Sequence, residues 1–198
     1  MNKIKLIVIG HGRSGKDTFC RMLTEEFRVS FKSSSKFIAE KLFPIINQRV
    51  GQEGYPKQEY KTVKECYEDR HNFRPLWFDL ISEYNKQDPT RLTREILLEH
   101  DIYCGLRNKD ELDKNNPLAL TLWIDASGRS EYKETESSMT VTEMDSDLTV
   151  YNQTSLKELR SQAVLLGTII TKYKRRFLIE RLALRLFNFI KRKLYGED

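Results

Sequence analysis

Apolar and polar positions divide the chain into short, uniformly apolar runs and longer stretches with helical spacing. Leu6 to Ile9 is a short apolar run, and a strand is expected over Ile4 to Ile9. Behind it, Phe19, Met22, Leu23 and Phe27 form one helical stripe while Thr24, Glu25 and Glu26 face water. Arg28 to Lys32 is rich in β-formers and predicts a second strand that ends in the polar run Ser33-Ser34-Ser35. Phe37, Ile38, Leu42, Phe43, Ile46 and Val50 predict a helix broken or kinked at Pro44. A loop follows at Gly51 to Pro56, and Lys57 to Glu68 is polar enough for a surface helix.

Leu76, Leu80, Ile81 and Tyr84 share a helix face, and Asp88-Pro89-Thr90 starts a helix carrying Leu92, Ile96 and Leu97. Asp101 to Arg107 is a compact β-like run ahead of a helix opening at Asn108. Leu118 to Asp125 is apolar throughout, as a strand buried on both faces should be. Asp145 to Leu159 supplies a last strand and a helix capped by Thr154 or Ser155, with Leu156, Leu159, Ala163 and Leu166 as its stripe. Strands alternating with helices predict an α/β fold of three layers, α/β/α, around a parallel sheet.

Composition narrows the class. A chain of 198 residues suits one well-buried domain. No stretch approaches the roughly 18 uninterrupted apolar residues of a membrane span, and Met1 leads into the first strand without a cleavable signal pattern, so we expect a cytoplasmic protein with no integral membrane segment. Cys20, Cys66 and Cys104 show no C-x-x-C spacing and His11, His71 and His100 are scattered, which argues against a disulfide framework or a zinc site. The net charge of +5 is local. Lys172 to Asp198 holds nine basic and three acidic residues, leaving 25 basic and 26 acidic residues elsewhere. The body is therefore close to neutral, which makes nucleic acid an unlikely partner for it.

The densest chemistry follows the first strand. Gly10, Gly12 and Gly15 allow backbone N–H groups to turn inward on a phosphate, and Lys16 adds a mobile positive charge at the start of a helix whose dipole points the same way. Gly10 to Lys16 fits G-x-x-x-x-G-K, with Arg13 and Ser14 inside the loop. Asp17 stands where the usual motif has Ser or Thr, and Thr18 follows. This stretch reads as the phosphate site of a nucleoside triphosphate, with ATP and Mg2+ as the expected cofactors and Asp17 or Thr18 as metal ligands.

The form Arg13-Ser14-Gly15-Lys16-Asp17-Thr18 resembles the P-loop of small-metabolite kinases, in particular the deoxynucleoside monophosphate kinases of tailed phages and the phosphomevalonate kinases. A strand, Arg107 and then Glu111 match the same relatives. Asp147 to Leu159, an acid, a strand, Asn152, a polar turn and Leu-x-x-Leu, resembles the last strand and helix of these kinases and of dephospho-coenzyme A kinases.

The resemblance spans about residues 4 to 166, with the P-loop its specific part. It implies a P-loop kinase domain over 1–166, and the remaining 167–198 reads as a basic amphipathic helical extension. It also implies ATP-dependent phosphorylation of a (deoxy)nucleoside monophosphate, in a host cytoplasm if the chain is of phage origin. The resemblance places the acceptor at the end of the second strand, near Ser34 and Ser35, under a helical insertion. It places Asn152 beside the adenine.

From position, Lys16 holds the donor phosphates, and Arg13, Arg107 and Arg129 are the groups able to reach the transferred or the acceptor phosphate. Arg74 is the best of the helix-start arginines (Arg74, Arg91, Arg94) for gripping an acceptor phosphate, and Glu111 lies one turn on from Arg107 and able to orient it. The polar stretch Ser127 to Thr142 reads as a lid over that edge. Two alternatives stay open: a kinase of another phosphorylated metabolite, and a nucleotide-binding module that uses its basic tail on nucleic acid or a membrane. Against the second stand the near-neutral body and the absence of a clear hydrolytic Walker B acid after an apolar strand, for which Asp125 is the only candidate. The tail stripe Tyr173, Phe177, Leu178, Leu182, Leu186, Phe189 and Ile190 favours a packing helix, and a homodimer through it.

Overall fold

The computed structural model describes residues 5–115, 119–129 and 139–172. Residues 130–138 of the stretch Ser127 to Thr142 expected as a lid, and the tail from 173 onward, lie outside the described residues. Within them the order is β1 (Leu6–Ile9), α1 (Lys16–Phe27), β2 (Phe31–Ser33), α2 (Ser34–Gln48), α3 (Val63–Asp69), α4 (Arg74–Asn85), α5 (Arg91–Glu99), β3 (Ile102–Cys104), α6 (Lys109–Asn115), β4 (Leu120–Asp125) and β5 (Leu148–Tyr151), with a single 3-10 turn (Glu143–Asp145) before β5. A further helix, α7, occupies 156–172.

The five strands form one parallel sheet in the order β2-β3-β1-β4-β5. All four residues of β1 are buried, because the strand is central and both faces are covered. Strand alternation sorts the core into two halves. Leu6, Val8, Ile102, Cys104, Leu120, Leu122, Ile124 and Val150 meet α1 and α7 through Phe19, Leu23, Leu159 and Ala163. Ile7, Ile9, Tyr103 and Trp123 meet α2 to α6 through Ile38, Leu42, Ile96 and Leu112. The fold is thus the three-layer α/β/α arrangement expected from the sequence.

Local chemistry sets the element ends. Arg28 caps α1 with a left-handed φ of 52°, so β2 starts at Phe31, later than the Arg28 expected. The Ser33 hydroxyl accepts from the Lys36 amide and turns the end of β2 directly into α2. The expected break at Pro44 does not occur, and α2 runs through it. Pro44 and Glu40 are both exposed, so the Glu40 carbonyl that loses its amide donor lies on the solvent side. The surface helix expected at Lys57 shrinks to α3, which starts only where Thr62 caps the Glu65 amide.

α7 continues through residue 166 without a break and lies close on α1. A Cβ on Gly167 would come within 2.2 Å of the Phe27 ring, and Ile170 is buried beyond it. Arg160 adds bonds of 2.8 Å to both Glu25 and Glu26.

Candidate functional site

β1 is the topological switch of the sheet. The chain leaves it through α1 toward β2, while its neighbour β4 leads the other way to β5, and this opens a crevice at the carboxyl ends of the strands. The Gly10 to Thr18 loop stands at that crevice. Gly10 has φ 139°, and a Cβ there would come within 2.7 Å of the Ile124 carbonyl oxygen. Gly15, φ 92°, is the N-cap of α1, and Arg13 itself is left-handed at φ 63°. Ser14 is buried, its amide bonded to the His11 carbonyl at 3.2 Å.

Lys16 folds back over this loop. Its ammonium donates to the carbonyls of Gly10 at 2.8 Å and His11 at 2.5 Å, and to the Ser14 hydroxyl at 3.4 Å. Asp17 is exposed and Thr18 half-buried in the first turn of α1, where amides have no intrahelical acceptor. His11 also stacks edge-on against Trp123 of β4, with centroids 5.3 Å apart.

A second group of cations belongs to the junction of α3 and α4. The charge of Arg70, then partial burial, then the charges of Arg74 and Arg13, hold His71 below its ordinary pKa. Arg13 of the loop and Arg74 at the start of α4 therefore act on one electrostatic locus. Arg70 is fixed there by donating to the Tyr67 carbonyl at 2.7 Å and lying 3.8 Å over the Tyr67 ring. The sequence reading missed Arg70 and His71, which precede α4 with no motif around them. The other helix-start arginines have local duties: Arg91 pairs with Glu95 and covers Tyr84, and Arg94 pairs with Asp88.

At the exits of β2 and β3, the Ser34 hydroxyl donates to the Gly105 carbonyl at 3.2 Å, and Ser35 follows in the first turn of α2. Gly105, φ 96°, ends β3 and leads to Arg107, which is exposed. The Arg107 carbonyl accepts from the amides of Thr140 at 2.9 Å and Val141 at 3.3 Å, which ties the end of the lid region to the crevice. Glu111 is buried; its carboxylate accepts from Thr93 at 2.5 Å and Tyr103 at 3.5 Å, and burial pushes its pKa up to about 7.

The exits of β4 and β5 are stitched together. Asp125 accepts from the Ser127 amide at 2.9 Å and from Gln153 at 2.6 Å. Against the opposing effect of burial, these bonds hold Asp125 below the usual carboxylate range. Asn152 is buried; its amide nitrogen donates to the Ser14 carbonyl at 2.8 Å and its oxygen accepts from Arg129 at 2.7 Å. The structure thus brings Arg129, Asn152 and the loop together. Gln153 went unread in the sequence because a lone polar residue in a turn carries no signal.

No protein-family model matches the chain, and no curated protein sequence matches it. Solved structures do. Shikimate kinase from Bacteroides thetaiotaomicron superposes with a TM-score of 0.50 at 8% identity, over 86% of this chain and 99% of that one. Shikimate kinase from Aquifex aeolicus vf5 gives 0.44 at 14% identity, over 85% of this chain and 98% of that one. A gluconokinase from Sinorhizobium meliloti 1021 gives 0.43 at 15% identity, over 88% and 97%. At 8% identity the likeness to the Bacteroides thetaiotaomicron structure is one of fold alone.

Proposed function

We propose that this chain transfers the terminal phosphoryl group of ATP to a small acceptor that already carries a phosphate, and specifically to a (deoxy)nucleoside monophosphate. The observation that carries the reading is the pairing of a glycine-built loop around Lys16 with a second pair of cations, Arg70 and Arg74 at the junction of α3 and α4, whose charges meet that of Arg13 at His71. One cradle suits the donor polyphosphate. A separate positive locus suits a second anion.

The loop fits a polyphosphate because Gly10 and Gly15 adopt φ values that L side chains rarely take and have no room for a Cβ. ATP would supply the transferable group, and Asp17 or Thr18 would hold the Mg2+ that offsets its phosphate charge. Lys16 sits where its ammonium can exchange the Gly10 and His11 carbonyls for phosphate oxygens. Arg13 and Arg129 neutralise charge on the transferred group, while Arg74 and Arg107 hold the acceptor phosphate. Ser34 and Ser35 line the acceptor side at the end of β2. Because a phosphate monoester is already nucleophilic at neutral pH, transfer needs positioning and charge stabilisation more than a general base.

Shikimate and gluconate, the acceptors implied by the neighbours' names, carry no phosphate, so the second cation group favours a different acceptor here. A coupled ADP-release assay with ATP and a panel of ribo- and deoxynucleoside monophosphates tests the reading. Turnover with one or a few monophosphates is the expected result. Turnover only with another phosphorylated metabolite would keep the reaction and move the acceptor, and turnover only with unphosphorylated sugars or acids would overturn the argument from the cations.

A further inference from the structure

We infer that Asn152 is a positioning residue that fixes Arg129 to the phosphate loop, so that the arginine is aimed only while the loop holds its phosphate-binding conformation. The inference rests on the kinase reading above and deepens it, since it reassigns Asn152 from the adenine to the arginine.

The side-chain amide is buried at 5% exposure, yet both of its ends are bonded. Its orientation follows from its partners. An arginine only donates, so the oxygen must face Arg129, and a main-chain carbonyl only accepts, so the nitrogen must face Ser14. Gly15 is cut to fit this amide: a Cβ there would lie 2.4 Å from the Asn152 nitrogen. The backbone of Asn152 is itself held, its N–H donating to the Asp125 carbonyl at 2.7 Å.

The turn that delivers Arg129 is braced by the same acid. Asp125 accepts from Ser127 and Gln153, and the Arg129 amide donates to the Ala126 carbonyl at 2.9 Å. One amide therefore sits where the exits of β1, β4 and β5 meet, and through it an exposed guanidinium, otherwise free to sample many rotamers, is referred to the backbone of the loop. Side-chain groups that act as a unit give strongly non-additive effects when removed together, which makes the link measurable.

The test compares Asn152→Leu, Arg129→Ala and the double variant, with Asn152→Asp as the conservative partner. Two readouts are used: kcat with ATP and the preferred monophosphate, and the rate at which phenylglyoxal modifies Arg129, followed by peptide mass spectrometry. Asn152→Leu keeps the branched outline of the side chain, with slightly more bulk, and removes both bonds. It should lower kcat ten- to hundredfold, as far as Arg129→Ala does, with the double variant within about twofold of either single, and it should speed modification of Arg129 at least fivefold. Asn152→Asp keeps an acceptor for the guanidinium but opposes the Ser14 carbonyl, so Arg129 should stay protected and kcat should fall less than in the leucine variant.

Losses that multiply in the double variant, or Arg129 modification unchanged by Asn152→Leu, would overturn the inference. Should the leucine variant fail to fold, Asn152→Ser, too short to span both partners, carries the same readings. If the wild-type chain turns over no acceptor at all, it is the kinase reading that falls, and the phenylglyoxal comparison still decides the link.

Discussion

The ammonium of Lys16 lies 2.8 Å from the carbonyl oxygen of Gly10, on the far side of the loop that its own helix follows. A lysine that bonds main-chain carbonyls on a loop built of constrained glycines is a charge held ready for an anion. Lys16→Ala should therefore leave the melting temperature nearly unchanged, because the side chain is only half-buried. Turnover should fall below about a tenth of wild type, since a lost charged contact to the transferred group costs several kcal/mol in the transition state. Circular dichroism and the coupled assay on the same preparation check both halves; retained turnover would sink the phosphate-loop assignment.

Arg107 follows Gly105 at the exit of β3, and its carbonyl already holds Thr140 and Val141. If its side chain grips the acceptor phosphate, Arg107→Lys keeps the charge and loses the planar fork. The acceptor KM should rise, or kcat fall, by about tenfold, the effect of roughly 1.4 kcal/mol, with ATP affinity changed less than twofold. Steady-state kinetics with each substrate varied in turn make the comparison. A rise confined to the ATP side would move Arg107 to the donor.

Much of this arrangement was legible in the sequence where a residue type is tied to its neighbours. Gly10, Gly15 and Lys16 stand at fixed offsets, and the apolar run Leu6–Ile9 and the mostly apolar Leu120–Ile124 announce strands covered on both sides. The misplaced boundaries arose where one residue overrode its surroundings: the left-handed Arg28 delays β2, and the exposed Pro44 is tolerated inside α2. What the sequence could not display are contacts between residues far apart along the chain. Asn152 meets Ser14 across 138 positions, and the charge of Arg13 reaches His71 although 58 positions separate them along the chain.

Glu111 supplies a pH dependence of known sign. Burial raises its pKa from 4.5 to about 7 in the folded chain, with the hydroxyls of Thr93 and Tyr103 as partners. The folded state then binds the proton more tightly than the unfolded one. Its stabilisation is complete below about pH 4.5 and is lost as pH rises through about 7, a change on the order of 3 kcal/mol. Glu111→Gln, neutral at every pH, should melt close to wild type at pH 5 and several degrees higher at pH 8. Parallel melting curves of the two proteins across that range would show that Glu111 is ionised without penalty.

The last expectation concerns where the body ends. Gly167 lies so close to Phe27 that only a glycine fits, and Ile170, 8% exposed, completes the half of the core formed by α1 and α7. A chain ending at residue 166 loses both contacts and bares the Phe27 ring. Removing one buried isoleucine costs about 1.5–3 kcal/mol, so its melting temperature should drop by roughly 3–10 °C. A chain ending at residue 172 keeps these contacts and should melt with the full-length protein if the tail adds nothing to the body. If, as its apolar stripe suggests, the tail joins two copies, the same truncation should convert a dimer to a monomer in light scattering while turnover per folded molecule stays unchanged. A mass already monomeric at full length, together with salt-sensitive binding to DNA or anionic vesicles that disappears in the 172 chain, would assign the eight basic residues after position 172 to an anionic surface instead. A 166 chain as stable as the full one would show that the packing of Gly167 and Ile170 against α1 contributes little.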